Sequence, residues 1–281
     1  MFRLLSIEFH KLRHSKASKV LIIIYFGLLT SIALTAAIKI PFFGKTIHLA
    51  EQGIFNFPYI WHFNTYVAAL LKFFLLLVIV SMMSNEYSNK TLKQNLIDGL
   101  SKKEFILSKF YTVIAFALIS TLFVFIISLL LGLFYSDYNE FTIITSDLEY
   151  LFAFFIKLVG FFSFGLFLGI LVKRSAFAIG AMVVWWIGEK IIWLIGLWFF
   201  RASKEAMEAA SKVTAWFPLE AMSNLIKEPF TRLSAVQTVA KQVGEDLSKD
   251  FSVQPLDIVI VLIWTAIFIY LSFVLLKKRD L

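Results

Sequence analysis

Four ionisable residues stand inside long apolar runs of this sequence: Lys72, Lys157, Glu189 and Lys190. A charge at the centre of a hydrocarbon layer costs about 2.5 to 3.5 kcal/mol on insertion scales, so each needs a counter-charge, a route to the interface or a ligand. At about 1.5 Å per residue from the basic end of its run, each lies about 16 to 21 Å deep, which makes them one polar layer. Glu189 is expected to pair across helices with Lys72 or Lys157, because Lys190 is its chain neighbour and points about 100° away. Trp186 and Trp193, one helical turn to either side of Lys190, are placed to shelter its ammonium by cation–π contact. Two other readings of these residues stay open. In one the lysines snorkel to the headgroups around a protonated Glu189; in the other they form a positive site for an anionic, lipid-like head group.

The other reactive residue types exclude more than they offer. There is no cysteine, so disulfides and Cys-ligated metals are out, and His10, His14, His48 and His62 have no metal-ligand spacing. One acidic residue within the apolar runs is too few for paired-carboxylate hydrolysis. No GxxxxGK[ST] phosphate loop is present, so the chain is not its own ATPase by that route. No catalytic, metal or cofactor site is expected.

The elements that must hold the layer are the apolar runs themselves. Six are long enough to cross about 30 Å of hydrocarbon: Val20 to Ile38, Tyr66 to Met83, Phe110 to Tyr135, Tyr150 to Leu171, Ala176 to Phe200 and Ile258 to Leu276. A composition of 59% hydrophobic residues, 32 Phe and mean hydropathy +0.81 agrees. The fold class is an all-α polytopic membrane protein, a single transmembrane domain over residues 1–281. Basic residues in short loops mark the cytosolic side. With the N-terminus inside, 15 Lys and Arg fall in cytosolic segments and 9 in outer ones, while acidic residues divide 5 to 13 the other way. This places the chain in the cell's inner (cytoplasmic) membrane with both termini cytosolic. It also accounts for the net charge of +8 without nucleic acid as a partner. The first run follows a basic segment as a secretory signal does, but it is long for one and is kept as a span.

Residues 1–16 read as an interfacial helix, with Phe2, Leu5, Phe9 and Leu12 on one stripe lying along the cytosolic membrane surface. Of the outer segments, Lys39 to Thr65 carries headgroup-level aromatics and Ser136 to Glu149 is short and acidic. The largest, 201–257, is expected to form a cap of short helices punctuated by Pro218, Pro229 and Pro255, with helical pattern over Ala202 to Val213 and Thr231 to Leu247. Gly165-Leu166-Phe167-Leu168-Gly169 permits a close helix approach, within the chain or at a dimer seam.

Between the second and third runs lies the polar insert Asn85 to Lys109. Ser88 or Asn89 can cap a short helix whose apolar stripe is Leu92, Leu96, Ile97 and Leu100 and whose polar face offers Lys90, Lys93, Gln94 and Asp98. Gly99 can end it, and Ser101 with Glu104 fits a capping box leading into the third run. The pattern is helix, break, helix.

The stretch Glu86-Tyr87-Ser88-Asn89-Lys90-Thr91-Leu92, then Leu96, then Leu100-Ser101-Lys102-Lys103-Glu104-Phe105 with Lys109 beyond, resembles the loop between spans two and three of ABC-2 type permeases. The opening Phe2 to Leu12 is similar to that family's N-terminal interfacial helix, and six spans with extra structure between the fifth and sixth match its architecture. The resemblance implies a coupling helix over 85–105 in which Glu86, Lys90, Thr91, Leu92, Lys93, Leu96, Lys102 and Lys103 dock an ATP-binding subunit. Two copies of that subunit would carry the ATP and Mg, and a second permease copy or a homologue would complete the pathway in the lipid bilayer. This chain would bind no cofactor. It would export an amphipathic or lipid-like substrate. Two departures stand out: Lys90 occupies the place of a usual small residue, and 201–257 is longer than a minimal re-entrant hairpin, leaving room for an extracytoplasmic partner. The alternatives are a mechanotransmitting or scaffolding subunit and a motor-independent secondary transporter.

Overall fold

The computed structural model describes residues 2–36, 39–42, 45–48, 53–199, 203–233, 236–237 and 250–279. Helix α1 (Phe2–His14) and α2 (Lys16–Ala36) lead to a two-stranded antiparallel ribbon, β1 (Lys39–Phe42) and β2 (Lys45–His48), with Lys39 opposite His48. There follow α3 (Tyr59–Leu71), α4 (Phe73–Ser88), α5 (Thr91–Ile97), α6 (Lys102–Tyr135), α7 (Phe141–Thr145), α8 (Glu149–Val172) and α9 (Ser175–Phe199). Helices α10 (Lys204–Thr214) and α11 (Pro218–Asn224), a 3₁₀ turn (Phe230–Arg232) and α12 (Pro255–Lys277) complete the described chain. The ribbon is the departure from an all-α fold, and it falls in the segment read as headgroup-level.

Among the described residues five helices are long and apolar enough to cross a membrane, and six if α3 and α4, bent by 42°, are counted as one span. The bend falls at Lys72, so the region expected as one straight Tyr66 to Met83 run is two helices meeting at one of the four charges of the polar layer. Helix α8 is the hub. Its apolar window is 78% buried against 17% for α2 and α9, and it packs on α3, α4, α6, α9, α11 and α12. Close approach to α4 is made at Gly165 and Gly169, where an added Cβ would meet Leu76 Cδ1 at 2.2 Å and Met83 Cβ at 3.2 Å. The GxxxG motif therefore serves packing within the chain rather than a dimer seam.

Helix α1 does more than skim a membrane: Phe9 stacks on Phe116 of α6 at 5.9 Å and Leu12 is buried. At the far end, α10 packs back on α9, with Ala210 against Gly196, and α11 enters the bundle among α8, α9 and α12. Ala221, Met222, Leu225 and Ile226 are buried there. The cap of short helices expected over 201–257 thus has one member, α11, whose apolar face is buried against α8, α9 and α12. The expected helix over Thr231 to Leu247 lies mostly outside the described residues.

Candidate functional site

The insert folds as helix, break, helix, but its start differs from the expected Ser88 or Asn89 cap. Lys90 holds that position with φ 55° and no side-chain cap, in the left-handed region that favours glycine. Glycine would take this conformation without strain, whereas Lys90 adopts it at a cost. At the other end the capping box is complete: Glu104 N donates to Ser101 Oγ (3.2 Å) and Ser101 N donates to Glu104 Oε2 (2.9 Å).

Beneath α5 lies a buried ion network. Lys109 Nζ, fully enclosed, donates to Glu8 Oε2 at 2.6 Å and to Glu86 Oε1 at 2.5 Å. Lys11 Nζ donates to the same Glu86 oxygen at 2.8 Å and stands 3.8 Å from Glu8. Thr91 Oγ1 and Asn95 Nδ2 donate to Glu86 Oε2 at 2.6 and 3.4 Å. Two carboxylates and two ammonium groups thus balance, and they join α1, α4, α5 and α6 at one point. A buried pair of this kind contributes little net stability when intact, but removing one partner costs about 3–5 kcal/mol. It fixes geometry.

The network splits the residues assigned to docking. Glu86 and Leu92 are 3% and 2% exposed, so both side chains of that set face the interior of the fold rather than its outer surface. Thr91 and Leu96 are half-buried. Lys102 Nζ donates to the carbonyls of Lys277 and Arg279, while Arg279 bonds Tyr87 Oη and the Ile170 and Leu171 carbonyls, clamping the end of α12 to this face. What remains outward is Lys90, Lys93, Gln94, Ile97, Asp98 and Lys103, with Ile97 70% exposed. Glu8 and Lys11 were missed by sequence reasoning, although an acid amid Leu5, Phe9 and Leu12 on the apolar stripe was a signal.

The four intramembrane charges do not pair as expected. Glu189 accepts from Trp185 Nε1 (2.8 Å) and from the backbone N–H groups of Leu219 (3.1 Å) and Glu220 (2.9 Å) at the start of α11. Lys190 pairs with Glu220 at 2.6 Å, so the inserted helix supplies partners that a span-only reading lacks. Trp193 Nε1 bonds Ser211 and Trp186 turns to a cavity, so the cation–π shelter for Lys190 gives way to that ion pair. Lys72 and Lys157 both line that cavity, of about 320 Å³, enclosed by α3, α4, α8, α9 and α11. Lys72 donates to Ala69 O at 2.9 Å and lies 4.7 Å from the Phe161 ring centroid; Lys157, 5% exposed, reaches Ser223 O at 3.4 Å. The expected Glu189 bridge to either lysine is absent because α11 occupies the carboxylate.

No curated protein matches the sequence. A family model does, over residues 20–195, taking in Lys72, Glu86, Lys109, Lys157, Glu189 and Lys190 but not Glu8 or Lys11. The chain belongs to the DUF2705 family, described as a protein of unknown function.

Proposed function

We propose that the chain is the membrane-spanning permease subunit of an ATP-driven ABC transporter, exporting an amphipathic or lipid-like substrate. The observation that carries this reading is the mounting of α5: its outward Lys93 and Ile97, flanked by Lys90 before it and Lys103 at the start of α6, stand on a helix locked from behind through Glu86 and Lys109. A push on that face would pass to α1, α4 and α6 together, because the ion network makes them move as one. The bend at Lys72 gives α4 a place to pivot against α3. Two copies of a cytosolic subunit would supply ATP and Mg, and a second permease copy or homologue would complete the pathway. The Lys and Arg distribution supports cytosolic termini in the inner membrane. Insertion of α11 among the spans weighs against a scaffold that reaches outward through 201–257.

The test is co-purification of the tagged chain from its native membrane in mild detergent, wild type against Lys93→Glu with Ile97→Asp. Both substituted residues are exposed, so the fold should survive. Recovery of an ATP-binding protein with the wild type and its loss with the variant supports the proposal. An abundant, folded wild type that brings down no ATP-binding protein would sink it.

A further inference from the structure

We infer that the Lys72–Lys157 cavity binds the anionic head group of a membrane amphiphile, with its acyl chains leaving sideways between α3 and α9. Four observations converge. The cavity is lined by two lysine side chains and by no Asp or Glu. Its volume, about 320 Å³, falls within the range of about 300–1,000 Å³ typical of ligand pockets. The carboxylate of this polar layer is committed to the start of α11, and Lys190 to Glu220, so no carboxylate among the described residues pairs with Lys72 or Lys157. Its rim is apolar and open: Leu70, Val183 and Trp186 are 61%, 42% and 51% exposed. Tyr66, Phe161 and Met222 give the inner wall the apolar surface that the upper part of an acyl chain or glycerol backbone needs.

Position makes this more than a peripheral lipid contact. Lys157 stands eight residues into α8 from Glu149, so a head group paired with it would sit about 12 Å inside that helix end. A lipid of the bulk bilayer keeps its head group at the interface. Two buried lysines would therefore draw an anionic amphiphile inward, because its head group supplies the counter-charge and charge-assisted hydrogen bonds that the Ala69 and Ser223 carbonyls alone do not. As an assignment of cargo, this rests on the permease reading; as a statement about binding, it stands alone.

The test uses the purified full chain in neutral detergent and native mass spectrometry, titrated separately with phosphatidylglycerol, phosphatidylcholine and inorganic phosphate. Phosphatidylglycerol is expected to bind about tenfold or more tightly than phosphatidylcholine, with inorganic phosphate weaker than either lipid. Lys72→Met with Lys157→Met should abolish the preference, and Lys190→Met should keep it. Equal retention of the two lipids by the wild type overturns the proposal whether or not any variant folds. So does a preference that survives the double substitution, or phosphate binding as tight as that of phosphatidylglycerol, since the acyl chains would then add nothing. No nucleotide or partner enters this assay, so its failure leaves the permease reading standing, and failure of the co-purification leaves this result standing.

Discussion

Lys109→Met removes the ammonium that Glu8 and Glu86 share and replaces it with an apolar chain of similar length. Both carboxylates stay buried, at 3% and 4% side-chain exposure, so solvent cannot take over. Lys11 remains 2.8 Å from Glu86 but 3.8 Å from Glu8, which leaves Glu8 with the weaker compensation. Breaking a buried pair costs about 3–5 kcal/mol, and the residual Lys11 contact puts the expectation at about 3 kcal/mol. The assay is reversible unfolding in mixed micelles for wild type, Lys109→Met, Glu8→Gln and the double variant. Neutralising Glu8 as well removes the orphaned charge, so the double variant should lose less than the sum of the singles by at least about 1 kcal/mol. A Lys109→Met loss below about 1 kcal/mol, or strictly additive singles, would refute a shared buried network.

Three further outcomes follow from the same geometry. Leu92→Asp should destabilise the fold by about 3 kcal/mol or more through an unpaired buried charge, whereas Ile97→Asp, on the exposed side of α5, should stay within about 0.5 kcal/mol of wild type in the same unfolding assay. Ser101→Ala should cost about 1 kcal/mol by loss of the capping box, read in that assay; a neutral result would mean that α6 needs no cap. Glu189→Ala strips the Leu219 and Glu220 amides of their acceptor, so hydrogen exchange at those two positions should rise while exchange in α8 stays unchanged. Unaltered protection at Leu219 and Glu220 would count against the carboxylate as their acceptor.

Local rules made the apolar helices and the Ser101–Glu104 box legible, since hydropathy and capping act over a few neighbouring residues. The Glu8–Lys109 pair was not legible in the same way: 101 residues separate its members, and its one local trace is an acid set in the apolar stripe of α1. Leu92 and Ile97 belong to one stripe by spacing, yet α5 is only seven residues long and the buried ties at Glu86 decide which part of the stripe turns inward. Counting from span ends placed Lys72, Lys157, Glu189 and Lys190 at one depth; Lys72 and Lys157 line one cavity, while Glu189 and Lys190 are tied to α11. Their partners went unread because Glu220 and the α11 amides come from a segment whose entry into the bundle no sequence period announces.

The central claim, that α5 presents a docking face to an ATP-binding subunit, is tested most directly by a photo-crosslinking amino acid placed at Ile97 and activated in native membranes. The account predicts a crosslink to a protein carrying a GxxxxGK[ST] phosphate loop, with no such product from the same probe at buried Leu92. Crosslinks from position 97 only to lipid or to this chain itself, with the protein folded and abundant, would contradict it.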